Sequence, residues 1–235
     1  MLRSRDYELA AIDRLLDGAR ASQGAGLVLL GEPGIGKSAL LAEARERAVD
    51  MCALTATCVE AESALAYSCL QQLLGSVIGR ADKLPAPQDR ALRVALGLAV
   101  GAAPDRFLVS LATLTLLSAV ADDGPVLCLL DDAHWADAPS LEVVAFVGRR
   151  IRPEPIALLV SARDGQGPGR ELAGLAALHV NGLSAEGAES ILDEQWGGSL
   201  SPAVRDALIA AAGGNPLALN ELPRALSAGQ RAGHE

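Results

Sequence analysis

Residues Gly31-Glu32-Pro33-Gly34-Ile35-Gly36-Lys37-Ser38 fill every specified position of the pattern G-x-x-x-x-G-K-[ST], and few eight-residue strings restrict a chain so tightly. Its glycines let successive backbone N–H groups turn inward, and a helix that starts there adds the partial positive charge of its N-terminus. The result is a cradle for phosphate, provided that a buried strand enters the loop and a helix leaves it. Both flanks comply. Leu27-Val28-Leu29-Leu30 is a short, uniformly apolar run, the pattern of a strand buried on both faces, and Ser38 to Val49 reads as a helix. The expected nucleotide-binding residues are therefore Gly31, Glu32, Pro33, Gly34, Ile35, Gly36, Lys37, Ser38 and Ala39. Lys37 is placed to reach the β- and γ-phosphates, as a binding and catalytic cation, and the Ser38 hydroxyl to ligate Mg²⁺.

A rival pattern overlaps it. Gly34-x-Gly36-x-x-Ala39 also fits the dinucleotide fingerprint, with Glu60 near the end of the second strand as the ribose acid. In that fold the first glycine closes directly onto the strand, whereas Gly34 lies several residues beyond Leu30, and Lys37 would have no task. Glu60 is read instead as an ordinary strand-end acid.

A second buried run, Val126-Leu127-Cys128-Leu129-Leu130, ends in Asp131-Asp132. Such a Walker B strand delivers its acids to the C-terminal edge of the sheet, where ligands of α/β folds collect. Asp131 is expected to hold the Mg²⁺, through water. Asp132 is expected to orient or deprotonate the water that attacks the γ-phosphate. His134 and Trp135 follow, read as a packed loop and helix start with Asp137 or Ser140 as cap; a sensing role for His134 at the γ-phosphate is the alternative. Arg163 lies just after the fourth strand. In this kind of sheet the fourth strand lies between the phosphate-loop strand and the acidic one, so a cation at its C-terminal end is expected to face the γ-phosphate as a catalytic sensor. Arg149, Arg150 and Arg152 crowd a helix C-terminus and suit its dipole.

Composition narrows the rest. The chain has 235 residues, with 29 Asp+Glu against 20 Lys+Arg and a net charge of -9. Its length allows one substantial domain, or one with a small companion, and its acidity disfavours a surface for nucleic-acid backbones. Aromatics are 3%, so the core is built from Leu, Val, Ile and Ala. Lys37 and Lys83 are the only lysines, which sets Lys37 apart. Cys52, Cys58, Cys69 and Cys128 lack C-x-x-C spacing and His134, His179 and His234 are scattered; four buried free thiols in a reducing cytosol are expected, not a zinc site or a disulfide framework. Met1 to Asp6 lacks the apolar core of a signal peptide. Phe107 to Ala121 is shorter than the ~20 residues of a membrane helix and carries Ser110, Thr113, Thr115 and Ser118. A cytoplasmic protein without membrane contact is expected.

Along the chain, strands alternate with helices, which argues for a parallel sheet covered on both faces. Helices are expected at 4–22, 65–79, 88–100, 104–121 and 138–151, and further strands at 51–59, 156–161 and 178–181, the last after a Gly/Pro loop at 165–169. From Ser184 onward the pattern is helical, broken at Gly197-Gly198 and Gly213-Gly214. Residues 1–183 therefore read as the core and 184–235 as a helical lid.

Taken together, the phosphate loop, Asp131-Asp132-Ala133-His134-Trp135-Ala136-Asp137 and Gly213-Gly214-Asn215-Pro216-Leu217-Ala218-Leu219 resemble the ATPase module of large actinobacterial LuxR-family transcriptional regulators. These belong to the signal-transducing (STAND) branch of AAA-like P-loop ATPases. Ala66-Tyr67-Ser68-Cys69-Leu70-Gln71-Gln72-Leu73-Leu74, Leu84-Pro85-Ala86-Pro87-Gln88, Phe146-Val147-Gly148-Arg149-Arg150 and Glu221-Leu222-Pro223-Arg224 have counterparts there too. The resemblance implies a P-loop NTPase of α/β class, with a five-stranded parallel sheet in the order 5-1-4-3-2 and a helical lid. It implies ATP/ADP and Mg²⁺ as cofactors, and an adenine or ribose contact for Pro216; the residues alone show only a turn opening a helix there. The family's opening Gly-Arg-Glu stands here as Ser4-Arg5-Asp6, and Ser38 replaces the commoner threonine. Family members continue into a winged helix, a helical-repeat sensor and a DNA-binding helix-turn-helix, so this chain alone is expected not to read DNA. The readings that follow are a slow ATP-hydrolysing switch, with self-association or other protein domains as its partners; a noncatalytic nucleotide-binding module; a remnant of a larger regulator; or a module of another signalling protein.

Overall fold

Buried on both faces, the apolar runs of the sequence become the middle of a parallel sheet. The computed structural model describes residues 4–165 and 172–234. Its strands are β1 (Ala25–Gly31), β2 (Cys52–Thr57), β3 (Val126–Asp131), β4 (Ile156–Arg163) and β5 (Ala176–His179). All pair in parallel, in the order β2-β3-β4-β1-β5, which read from the other edge is 5-1-4-3-2. β4 and β3 are buried along nearly their whole lengths, as continuous apolar strands require. At the edge, β2 alternates instead: Leu54 and Ala56 are buried, Thr55 and Thr57 exposed.

Because side chains alternate along a strand, each strand feeds two cores. Leu27, Leu29, Leu127, Leu129, Ala157 and Leu159 pack with α1 (Asp6–Arg20) and α2 (Lys37–Arg47) on one face. On the other, Val28, Cys128, Leu130, Leu158 and Val160 pack with α3 (Ser68–Leu74), α4 (Ala86–Ala95), α5 (Arg106–Ala121) and α6 (Ala138–Gly148).

Several boundaries differ from the sequence reading. Within 65–79 the α-helix is confined to α3, because Tyr67 takes a left-handed conformation at φ 64 and Gly75, a poor helix former, ends the run; a 3-10 helix follows from Ile78. α4 starts earlier than expected, at Ala86, since Pro87 sits in its first turn, where its missing N–H costs nothing. β5 lies two residues before the expected 178–181, and residues 166–169 of the anticipated Gly/Pro loop lie outside the described residues. The cysteine reading also needs correction. Cys58, Cys69 and Cys128 are buried, but Cys52 is exposed, because it opens β2 at the rim of the sheet where the cover over Leu54 and Ala56 ends.

After β5 come α7 (Ala185–Trp196), α8 (Pro202–Ala212), α9 (Pro216–Glu221) and α10 (Ala228–Ala232). Ser184, Ser201, Asn215 and Ser227 cap them with their side chains. Their own apolar cluster is Ala188, Leu192, Leu200, Leu208, Ala212 and Leu219. Among the described residues no helix is long and apolar enough to cross a membrane.

Candidate functional site

The turn from β1 into α2 places the glycine-rich loop at the C-terminal edge of the sheet. Gly34 and Gly36 have φ of 76° and 103°, a region that L side chains rarely enter. A Cβ on Gly34 would lie 2.6 Å from Leu217 Cβ, and one on Gly31 would lie 2.8 Å from the Val180 carbonyl oxygen. Lys37 is 6% exposed and donates from Nζ to the carbonyl oxygens of Gly31 (2.8 Å) and Glu32 (2.9 Å). Burial lowers its pKa, Asp132 opposes that shift, and Arg163 reinforces it.

β3 ends beside the loop with Asp131. Its Oδ1 accepts from the Ser161 hydroxyl and from the Asp132 N–H (3.0 Å). Ser161 Oγ also accepts from the Asp132 N–H, at 2.9 Å. Asp132 sits at φ 53, ψ 43, a left-handed conformation that aspartate tolerates better than most residues. Two acceptors on its N–H hold it there, and its side chain is left 42% exposed. Arg163, at the end of β4, is in register with Gly31, and its Cζ lies 5.5 Å from the Trp135 ring centroid. Ser38 and Asp131 both line a cavity of about 610 Å³, with Thr55, Thr57, Arg45 and Glu46 further along it.

The tail reaches the same loop. Asn215 Nδ2 donates to the Pro33 carbonyl at 2.9 Å, while its Oδ1 accepts from the Leu217 and Ala218 N–H groups. The Leu217 N–H also donates to the Gly34 carbonyl at 3.3 Å. Pro216, between them, opens α9.

Three contributors lay beyond the sequence reading. Ser161, 0% exposed, was legible only as strand. Asn215 read as a turn, although an asparagine before a proline at a helix start is a cap signal. Arg5 is 4% exposed and donates to the Ile35 carbonyl (2.7 Å), the Asn181 carbonyl (2.6 Å) and Glu8 Oε1 (3.0 Å). It thus braces the phosphate loop against the segment that leaves β5, a task its place in Ser4-Arg5-Asp6 did not advertise. Asp137 is the cap of α6, as one reading had it, and its carboxylate also accepts from the N–H groups of Tyr67 and Cys69.

The residues fit a nucleoside triphosphate with Mg²⁺. A glycine-rich loop at a helix N-terminus with a buried lysine suits phosphates, and Ser38 with Asp131, lining one cavity, suits a small hard cation that takes its remaining ligands from phosphate and water.

A parallel sheet in this order, with a phosphate loop after β1 and paired acids after β3, defines a P-loop NTPase. The family model of the AAA ATPase domain matches residues 2–160, and the chain belongs to that family. It is 27% identical over 259 aligned residues to an uncharacterized protein of Rhizobium meliloti (strain 1021), covering 93% of this chain and 24% of that protein. The chain thus spans about a quarter of that relative's length. Among solved structures it resembles Cdc6p from Pyrobaculum aerophilum, with TM-score 0.59, 18% identity, and 99% of this chain and 64% of that one covered. It likewise resembles a Signal Transduction ATPase with Numerous Domains (STAND) protein with a tetratricopeptide repeat sensor from Pyrococcus horikoshii, with TM-score 0.59, 20% identity, and 92% and 30% covered. At these identities the likeness is one of fold.

Proposed function

We propose that this AAA-type domain is an ATP-operated switch that hydrolyses slowly and serves a LuxR-type transcriptional regulator, the family whose motifs it resembles. One observation carries the reading: the phosphate loop after β1, the acids that end β3 and Arg163 at the end of β4 share one edge of the sheet, where the tail's Asn215 and Leu217 bond to the phosphate loop. In this reading Gly31 to Ala39 wrap the phosphates and the Lys37 ammonium leaves its two carbonyls for them. Ser38 and Asp131 hold Mg²⁺, which supplies charge neutralisation at the phosphates. Asp132 takes the proton of the attacking water, Arg163 faces the transferred phosphate, and Pro216 lies against the adenine or its ribose. Residues 184–235 act as a lid on the core, 1–183, closing with ATP and loosening after hydrolysis. The net charge of -9 disfavours contact with a nucleic-acid backbone, so DNA reading is left to other segments of a longer regulator, and the partners in this reading are other protein domains or further copies of the chain.

Titration calorimetry with ATP and ADP, with and without Mg²⁺, tests this. Lys37→Ala is expected to weaken Mg-ATP binding by about 10²–10⁴-fold, the loss of two charge-assisted bonds of about 1.5–3 kcal/mol each. Wild-type affinity in that variant would remove the assignment. Tight binding with no single-turnover hydrolysis in the wild type would leave the noncatalytic module as the better reading.

A further inference from the structure

His134 follows the two aspartates by one short turn. Its side chain is 2% exposed, and neither Nδ1 nor Nε2 has a hydrogen-bond partner. Buried polar atoms are almost always paired, so an orphaned imidazole calls for an explanation. Its nearest acidic neighbour is Asp132, with Nδ1 3.8 Å from Oδ1, beyond hydrogen-bond reach. The two residues differ in freedom. Asp132 has its backbone N–H pinned by Asp131 and Ser161 while its carboxylate is part-exposed and able to turn. The His134 ring is enclosed, with the Trp135 ring 5.0 Å away. Burial lowers the imidazole's pKa, Arg163 and Lys37 add to that, and Asp132 and Asp131 oppose it. It is therefore neutral near pH 7, with one N–H and one lone pair.

We propose that His134 is a positioning residue for Asp132: with Mg-ATP in the cleft the two side chains close, and His134 Nδ1–H donates to the Asp132 carboxylate, aiming its free oxygen at the attacking water. The proposal rests on the reading of Asp132 as the base. His134 itself gains and loses no proton; the water's proton goes to Asp132. Closing the pair satisfies one orphaned nitrogen, so it favours the ATP-bound arrangement and ties the order of the acidic loop to the occupant of the phosphate loop.

Packing alone would give a different result from positioning. His134→Leu removes both orphaned nitrogens at similar volume, and His134→Asn keeps a donor near the place of Nδ1. We expect His134→Leu to slow single-turnover hydrolysis of pre-bound Mg-ATP by about 10–100-fold, the scale of one hydrogen bond to a charged group. ADP affinity should stay within about 2-fold and the melting temperature should hold or rise, as orphaned polar atoms leave the interior. His134→Asn should recover most of the rate. In ¹⁵N-histidine spectra, a non-hydrolysable Mg-ATP analogue should shift the His134 Nδ1 signal of the wild type and not that of Asp132→Ala. A His134→Leu variant as fast as wild type, or a Nδ1 signal that ignores the analogue, overturns the proposal while the base assignment stands. If Asp132→Asn itself turns over at the wild-type rate, the base assignment fails and the positioning role falls with it.

Discussion

The two walls that flank the phosphate loop are built differently. One is the sheet: β3 and β4 are buried along almost their whole lengths, and Ser161, fully enclosed, fixes both the Asp131 carboxylate and the Asp132 backbone. The other is the tail, whose apolar cluster is small and separate from the two cores of the sheet. Among the described residues its hydrogen bonds to the phosphate loop run from Asn215 Nδ2 to the Pro33 carbonyl and from the Leu217 N–H to the Gly34 carbonyl. Residues that must be held within a fraction of an ångström for chemistry stand on the first wall. The second is the cheaper to move, since local opening follows sparse apolar contact. Arg5 stands at the joint, bonded to Ile35 in the loop and to Asn181 in the segment that leaves β5.

Changes on the rigid wall should strike the chemistry hardest. Asp132→Asn is expected to preserve Mg-ATP binding and depress single-turnover hydrolysis by about 10²–10⁴-fold, the scale of general base catalysis. Asp131→Asn should instead weaken Mg-dependent ATP binding and spare metal-free ADP binding, as titration calorimetry would report.

Next in size is a matched pair of core truncations. Leu159→Ala in β4 removes a fully buried side chain from the sheet and is expected to cost about 2–5 kcal/mol, seen as a lower urea midpoint for the whole molecule. Leu192→Ala in α7 removes an equally buried one from the tail cluster, and should chiefly raise protease cutting within 184–232 while moving the main midpoint less. Equal shifts of the midpoint would mean that the tail folds as one unit with the sheet.

The smallest change acts on the contact between the walls. Asn215→Ala removes a cap, worth about 0.5–2 kcal/mol, together with its bond to Pro33. We expect Mg-ATP affinity to fall by about 3–30-fold, the same energy expressed as a ratio, while ATP already bound is hydrolysed at the wild-type rate.

The rigid wall was the more legible of the two in sequence. Runs such as Val126 to Leu130 declare a strand buried on both faces, and the loop from Gly31 to Ser38 declares its own conformation because only glycine enters the left-handed region freely. The strand order came from the resemblance, since periodicity gives no neighbour relations. Ser161 was hidden because a hydroxyl in an apolar strand carries no signal of what it will face. Arg5 was hidden for a related reason: its partners are backbone carbonyls at Ile35 and Asn181, which leave no mark on composition. Cys52 was misread because a mean tendency of cysteine toward burial says nothing about a strand's first residue.

Amide hydrogen exchange, read by mass spectrometry on the whole chain without nucleotide, with ADP, and with a non-hydrolysable Mg-ATP analogue, compares the walls directly. The ATP-switch reading predicts that the analogue raises protection at 33–38 and 213–219 above the ADP level, while β3 and β4 stay as protected as they are without nucleotide. Equal protection of 213–219 in all three states would contradict it, because the tail would then be blind to the γ-phosphate.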